Sequence, residues 1–172
     1  MIHRSPQQEK EDAFDKWSDA LETKYPDIFS QPCYSCNRLV DKDGVCLSCK
    51  GTKVVRACAF ERIGRGWWSI VERICEEIHK FNVNYNDEEN PIRATQIKEK
   101  FAGLRFYTNF TREINGVSIH KIISDLESES SRTCETCGEP IEEPDDDNGW
   151  WRAICPTCKY KMKVLNIDPE KL

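Results

Sequence analysis

Long apolar runs are missing from this sequence. Nothing in it approaches the roughly 18 apolar residues of a membrane-spanning helix, and the opening MIHRSPQQEK lacks the apolar stretch of a secretory signal. These absences predict a soluble, cytosolic protein that does not engage a membrane. Catalytic signatures are missing too: there is no P-loop, no dinucleotide fingerprint, no His-Glu-x-x-His and no Gly-x-Ser-x-Gly. The three histidines, His3, His79 and His120, have no acid or nucleophile at a motif spacing. A non-enzymatic binding protein is the first expectation, and an enzyme with an unrecognised site is kept as an alternative. Core-forming material is also short. With 32% charged residues and a mean hydropathy of -0.68, 172 residues are expected to build small cores held by staples.

Cysteine is what the sequence has in abundance. Eight of the ten cysteines form four Cys-x-x-Cys pairs, and in a reducing compartment such pairs point to metal rather than to disulfides. The first cluster is Cys33, Cys36, Cys46 and Cys49; the second is Cys134, Cys137, Cys155 and Cys158. Each Cys-x-x-Cys turn converges two thiolates on one ion, and two turns complete a tetrahedron with bonds of about 2.3 Å. Four protein ligands leave no position for water, so the expectation is two structural Zn2+ ions rather than catalytic ones. Free thiols or a redox Cys-x-x-Cys are the other reading. Cys58 and Cys75 are left over and read as small buried thiols, one in the apolar run Val54 to Phe60, the other on an apolar helix face.

The net charge of -5 argues against a protein that coats nucleic acid. Its distribution is uneven. Residues 33 to 75 carry eight Lys/Arg against four Asp/Glu, and residues 91 to 121 carry six against two. Residues 122 to 149 carry one Arg against ten Asp/Glu. The stretch Glu139 to Asn148, between the knuckles of the second cluster, reads as an acidic, Pro-rich loop that projects and repels phosphate.

Along the chain, Ser5-Pro6-Gln7-Gln8 predicts a capped helix start, and Ala13, Phe14, Trp17, Ala20 and Leu21 fall on one face before Tyr25-Pro26 ends the pattern. That stripe docks on the chain's own body or on a partner. Gly66-Trp67-Trp68 leads into Ile70, Val71, Ile74, Cys75, Ile78 and Phe81, spaced for a central helix. A short helical turn is predicted over Gln96 to Phe101, with Ile97 and Phe101 inward and Gly103 permitting the turn into a strand over Leu104 to Thr108. Asn115-Gly116 marks a turn, and Ile119, Ile122, Ile123 and Leu126 mark a further helix. Gly-Trp-Trp occurs twice, at Gly66 and Gly149, which is too little to establish a duplication.

The expected fold class is therefore α+β: a small central α+β unit (54–130) flanked by two four-cysteine zinc-ribbon or zinc-knuckle modules (31–53 and 131–164), with an N-terminal helix (1–30) and a short tail (165–172). The runs Gln96 to Tyr107 and Ser131 to Gly138, with Gly66-Trp67-Trp68, resemble an uncharacterised family of zinc-ribbon-containing phage and bacterial proteins with a QIKEKFxGLRFY…SRTCExCG signature. In that family the residue after the Phe is usually Gly, whereas here it is Ala102, and the first cysteine cluster looks like an addition to the common core. The resemblance implies a phage-type protein in a host cytoplasm, binding and modulating a host protein in counter-defence or host takeover. Lys98, Lys100, Arg105 and Tyr107 are then a basic, aromatic partner-contact surface. The rival is a nucleic-acid-binding regulator using the first cluster, the basic stretch Lys50 to Arg65, and Trp67 or Trp68 for base stacking.

Overall fold

A computed structural model describes residues 5–29, 58–85, 91–109, 113–114, 116–147 and 149–165. The first helix, α1 (Pro6–Lys24), starts as its sequence dictates. Ser5 is extended, its Oγ accepts the Gln8 N–H at 3.3 Å, the Gln8 side chain accepts the Ser5 N–H at 3.1 Å, and Pro6 occupies the first turn. It ends at Tyr25, whose N–H returns to Leu21 O, and the short α2 (Pro26–Phe29) follows.

The α1 stripe docks on the chain itself. Phe14 and Leu21 are buried, Trp17 is half-buried, and Ala13 and Ala20 stay exposed. Trp17 stacks on Trp68 at 4.6 Å and 5°, and its Nε1 donates to Glu72 at 2.7 Å. The surface it buries is supplied by α3 (Trp68–Tyr85), on which Ile70, Val71, Ile74, Cys75, Ile78 and Phe81 are all buried. Those six fall on one broad side because the helical period of about 3.6 residues brings i, i+3, i+4 and i+7 together. Asn82, near its end, accepts the Ile92 N–H through Oδ1 and donates to Ile92 O, so the last turns of α3 hold the returning chain.

A three-stranded sheet lies beside this helix, ordered β1 (Ala59–Phe60), β2 (Ala94–Glu99), β3 (Leu104–Thr108), with β1 parallel and β3 antiparallel to β2. The helical turn expected over Gln96 to Phe101 is a strand instead. Ile97 sits between two pairing strands, buried, while its neighbours Gln96 and Lys98 point the other way, the period-2 alternation of a strand paired on both sides. Phe101 consequently points out, 76% exposed, rather than in.

The hairpin of β4 (Glu113–Ile114) and β5 (Val117–Ser118) turns at Gly116 and feeds α4 (Ile119–Ser130), capped by the Ser118 hydroxyl. α4 packs on α3, tied by Arg73–Glu129 at 2.6 Å, and it closes the free edge of β3. Ser130 Oγ accepts the Leu104 N–H at 2.8 Å and Glu127 Oε1 accepts the Phe106 N–H at 2.6 Å. Two side chains thus satisfy donors that would otherwise offer an open ladder to another strand. Trp67 and Phe106 are both buried. Among the described residues, no helix is long and apolar enough to cross a membrane.

Candidate metal centre

After α4 the chain enters the second cysteine cluster, whose knuckles flank an antiparallel hairpin of β6 (Asp145–Asp147) and β7 (Trp150–Arg152) and end in α5 (Pro156–Leu165). The Sγ atoms of Cys134, Cys137, Cys155 and Cys158 all lie within 4.8 Å of one another. The Cys137–Cys155 pair is 3.7 Å apart. Tetrahedral thiolates at bonds of about 2.3 Å place neighbouring sulfurs about 3.8 Å apart, so the Cys137–Cys155 pair matches that spacing and the four donors converge closely enough to hold a single ion.

Local backbone chemistry sets up that convergence. Gly138 adopts φ +83°, a left-handed conformation natural to glycine, and its N–H returns to Cys134 O at 2.9 Å, closing the first knuckle. In the second, Pro156 opens α5 and the Cys158 N–H points at Cys155 Sγ at 3.4 Å. Burial pushes the Cys155 thiol up, but the Cys158 N–H and the neighbouring sulfurs outweigh it and hold it below the ordinary thiol value. Burial and the same crowding of sulfurs drive Cys158 above that value.

Two residues that spacing did not single out brace the centre. Glu135, inside the first knuckle and buried, receives Arg152 of β7 at 2.6 and 3.1 Å, while its own N–H donates to Ala153 O at 2.7 Å. One residue thereby ties the knuckles through side chain and backbone. Its only sequence signal was an acid within Cys-x-x-Cys, which many solvent-facing knuckles share.

The centre is also joined to the central core. The Gly66 N–H donates to Glu135 O at 2.8 Å, and Trp67 Nε1 donates to Thr133 O at 2.8 Å. A Cβ on Gly64 would stand 2.1 Å from Glu135 O, and one on Gly66 would stand 2.0 Å from Cys134 O. Both glycines therefore permit a backbone-to-backbone approach that no side chain fits.

The acidic stretch after Gly138 is irregular as far as Pro144, but Asp145 to Asp147 form a strand rather than continuing as a loop. Ile141 N–H donates to Arg132 O, Asp145 is bridged by Lys159 at 2.5 Å, and β6 pairs with β7 around Gly149 at φ +86°. Ladder hydrogen bonds belong to the backbone, so a run of acids can pair once its partner strand is anchored.

The remaining sequence candidates divide clearly. Cys33, Cys36, Cys46 and Cys49 lie outside the described residues, as do Lys50, Lys53, Arg56 and His3. Burial pushes the Cys58 thiol up to about 12 and raises Cys75 well above its ordinary value, the opposite of the lowered pKa of an activated nucleophile. His79 pairs with Asp27 at 3.0 Å and clamps α2 to α3; His120 is exposed on α4. Base stacking by the first Trp pair is ruled out for Trp67, which is fully buried, and Trp68 is occupied by Trp17. Arg62 is paired with Glu11 and Arg65 lies over Trp68.

Lys98, Arg105 and Tyr107, by contrast, come together. Lys98 stands opposite Arg105 in the β2–β3 register, and its Nζ lies 5.7 Å from the Tyr107 ring centroid. Lys100 Nζ lies 5.2 Å from the Phe101 ring centroid at the tip of the same hairpin. Like charges directly across a ladder are unfavourable. The turn is strained as well: Lys100 and Gly103 exchange N–H bonds at 2.8 and 3.2 Å around Phe101 (φ +53°) and Ala102 (φ +55°). This is the two-residue hairpin turn that ordinarily takes Asn-Gly. Glu99 Oε1 steadies it by accepting the Ala102 N–H at 2.8 Å. The left-handed positions are thus Phe101 and Ala102, not Gly103. No family model, curated protein or solved structure matches the chain.

Proposed function

We propose that this chain is a non-enzymatic protein, stapled by structural zinc, that binds and modulates another protein through the exposed face and tip of its β2–β3 hairpin. The observation that carries this reading is Phe101. It is 76% exposed and held in left-handed backbone that costs an L-residue roughly 1–2 kcal/mol. Neither its solvation nor its backbone conformation benefits the interior, and such strain gathers at ligand clamps. Around it, Lys98, Lys100, Arg105 and Tyr107 supply a positive, aromatic surface suited to an acidic protein patch.

Zinc is the metal that four thiolates of this geometry favour, and its role here is to hold the chain together: every ligand comes from protein, leaving no position for water or substrate. The cysteines of the first cluster have the same ligand pattern and make two Zn2+ per chain the expected content. The phage-type reading, in which the partner is a host protein, rests on the resemblance of Gln96 to Tyr107 to the signature of that family.

A second reading, a nucleic-acid-binding regulator, draws on the same face, because cations interleaved with exposed aromatics also suit single strands. Affinity capture from host cells, with and without nuclease, separates the two. The protein reading expects a partner that survives nuclease and is lost on Phe101→Ala or on Lys98→Glu with Arg105→Glu. Loss of all bound material on nuclease treatment would reverse the ranking. Metal analysis returning fewer than two equivalents would remove the zinc at one or both clusters.

A further inference from the structure

The β6–β7 hairpin carries a second exposed aromatic surface whose charge is opposite to that of the first. Trp150 is 73% exposed and Trp151 55%, and as successive residues of one strand they face opposite sides of the ribbon. In register, Trp151 stands across from Asp146 and Trp150 across from Asp147. Between Glu139 and Trp151 the chain has six acidic residues and no basic one. Two cations near the ribbon are already engaged: Arg152 by Glu135 and Lys159 by Asp145. Lys161 and Lys163 follow later, on α5.

The ribbon is also rigid where it needs to be. Its base is held by the Glu135–Arg152 and Asp145–Lys159 bridges next to the cysteine centre, and its turn by Gly149, whose N–H donates to Asp146 Oδ1 at 2.7 Å. A large indole displayed on an anchored strand loses little freedom on binding. Such a pair is costly to expose, and nothing among the described residues covers it.

We infer that the β6–β7 ribbon is a docking site for a cationic protein segment that wraps the ribbon, its Lys or Arg side chains lying over Trp150 on one face and over Trp151, beside the Asp146 carboxylate, on the other. An indole face attracts a cation through its quadrupole, and a carboxylate across the strand adds a direct charge contact. This site is separate from the β2–β3 face and takes a partner of opposite charge. The two sites together make the chain bivalent, able to hold an acidic and a basic surface at once.

The test uses the zinc-loaded full chain and a fluorescein-labelled hexa-arginine peptide, followed by anisotropy at about 150 mM salt, where non-specific attraction between exposed charges is largely screened. Trp150→Ala, Trp151→Ala and Asp146→Asn are each expected to weaken binding about fivefold, the scale of one exposed cation–π contact. Asp146→Asn retains the oxygen that accepts the Gly149 N–H, and Trp150 is the more exposed of the two indoles, so these two variants keep the fold. Asp15→Asn on α1 removes the same charge at a distance and is expected to change binding by less than about twofold. Equal weakening by Asp15→Asn, or unchanged binding in the Trp variants, would overturn the site. Direct binding of labelled oligo-deoxythymidine to the chain, in the absence of the peptide and weakened by Trp150→Ala and Trp151→Ala, would overturn it as well. The β2–β3 variants serve as the control for the first reading: Phe101→Ala leaves peptide binding intact, whichever way the capture experiment falls.

Discussion

Gly66-Trp67-Trp68 and Gly149-Trp150-Trp151 are the same three residues in two surroundings. In the first, Trp67 is fully buried with its Nε1 bonded to Thr133 O, and Trp68 stacks on Trp17. In the second, both indoles face solvent. The glycines differ just as sharply. Gly66 has no room for a Cβ because Cys134 O would lie 2.0 Å from it, whereas a Cβ on Gly149 would meet nothing within 4 Å but would sit at φ +86°. One glycine is required for close approach, the other for backbone conformation. Residue type thus sets what a position can do, while the elements brought against it decide what it does.

The comparison can be broken most severely at the metal. Cys134→Ser or Cys155→Ser is expected to lose one zinc equivalent and to unfold the C-terminal module, since structural zinc supplies roughly 10–16 kcal/mol in small modules. The first Gly-Trp-Trp leans on that module through the Glu135 and Thr133 carbonyls, so its surroundings loosen too. Paired metal analysis and thermal melting check this, and an unchanged transition with full metal content would contradict it.

Next in size is the indole contrast. Trp67→Ala should cost about 3–5 kcal/mol, as should Phe106→Ala in the same core, whereas Trp150→Ala should stay within about 0.5 kcal/mol of the parent. Denaturant melts read all three. Equal losses at Trp67 and Trp150 would mean the ribbon is packed in solution.

The glycines sharpen the comparison further. Gly66→Ala is expected to cost about 3 kcal/mol, because main chain must move to admit the methyl group, and Gly149→Ala only about 1 kcal/mol for its left-handed backbone. The smallest effect carries the opposite sign. Ala102→Gly should stabilise by about 1 kcal/mol by relieving left-handed backbone at φ +55°. A loss of stability there would show that the buried Ala102 methyl contributes more than the strain costs.

Much of this was legible from local pattern. The capping box at Ser5 and Gln8, the α3 face from Ile70 to Phe81, the strand from Leu104 to Thr108 and the second ligand set each follow from spacing of a few residues, which is how short-range sterics and hydrogen bonds act. What failed were positions whose state depends on partners distant in sequence. Ile97 belongs to a strand because β1 and β3 flank it, although Gln96 to Phe101 alone resembles a helical turn. The acids of Asp145 to Asp147 form a strand because β7 and Lys159 receive them.

By itself, then, the sequence determined the Cys-x-x-Cys pattern, the amphipathic helices and the sign of charge along the chain, since each is written in neighbouring residues. Only the tertiary structure decided which tryptophan pair is buried, which glycine is crowded, and that Glu135 and Arg152 brace the cysteine centre. Those outcomes rest on contacts between segments far apart in sequence, which local pattern alone does not specify.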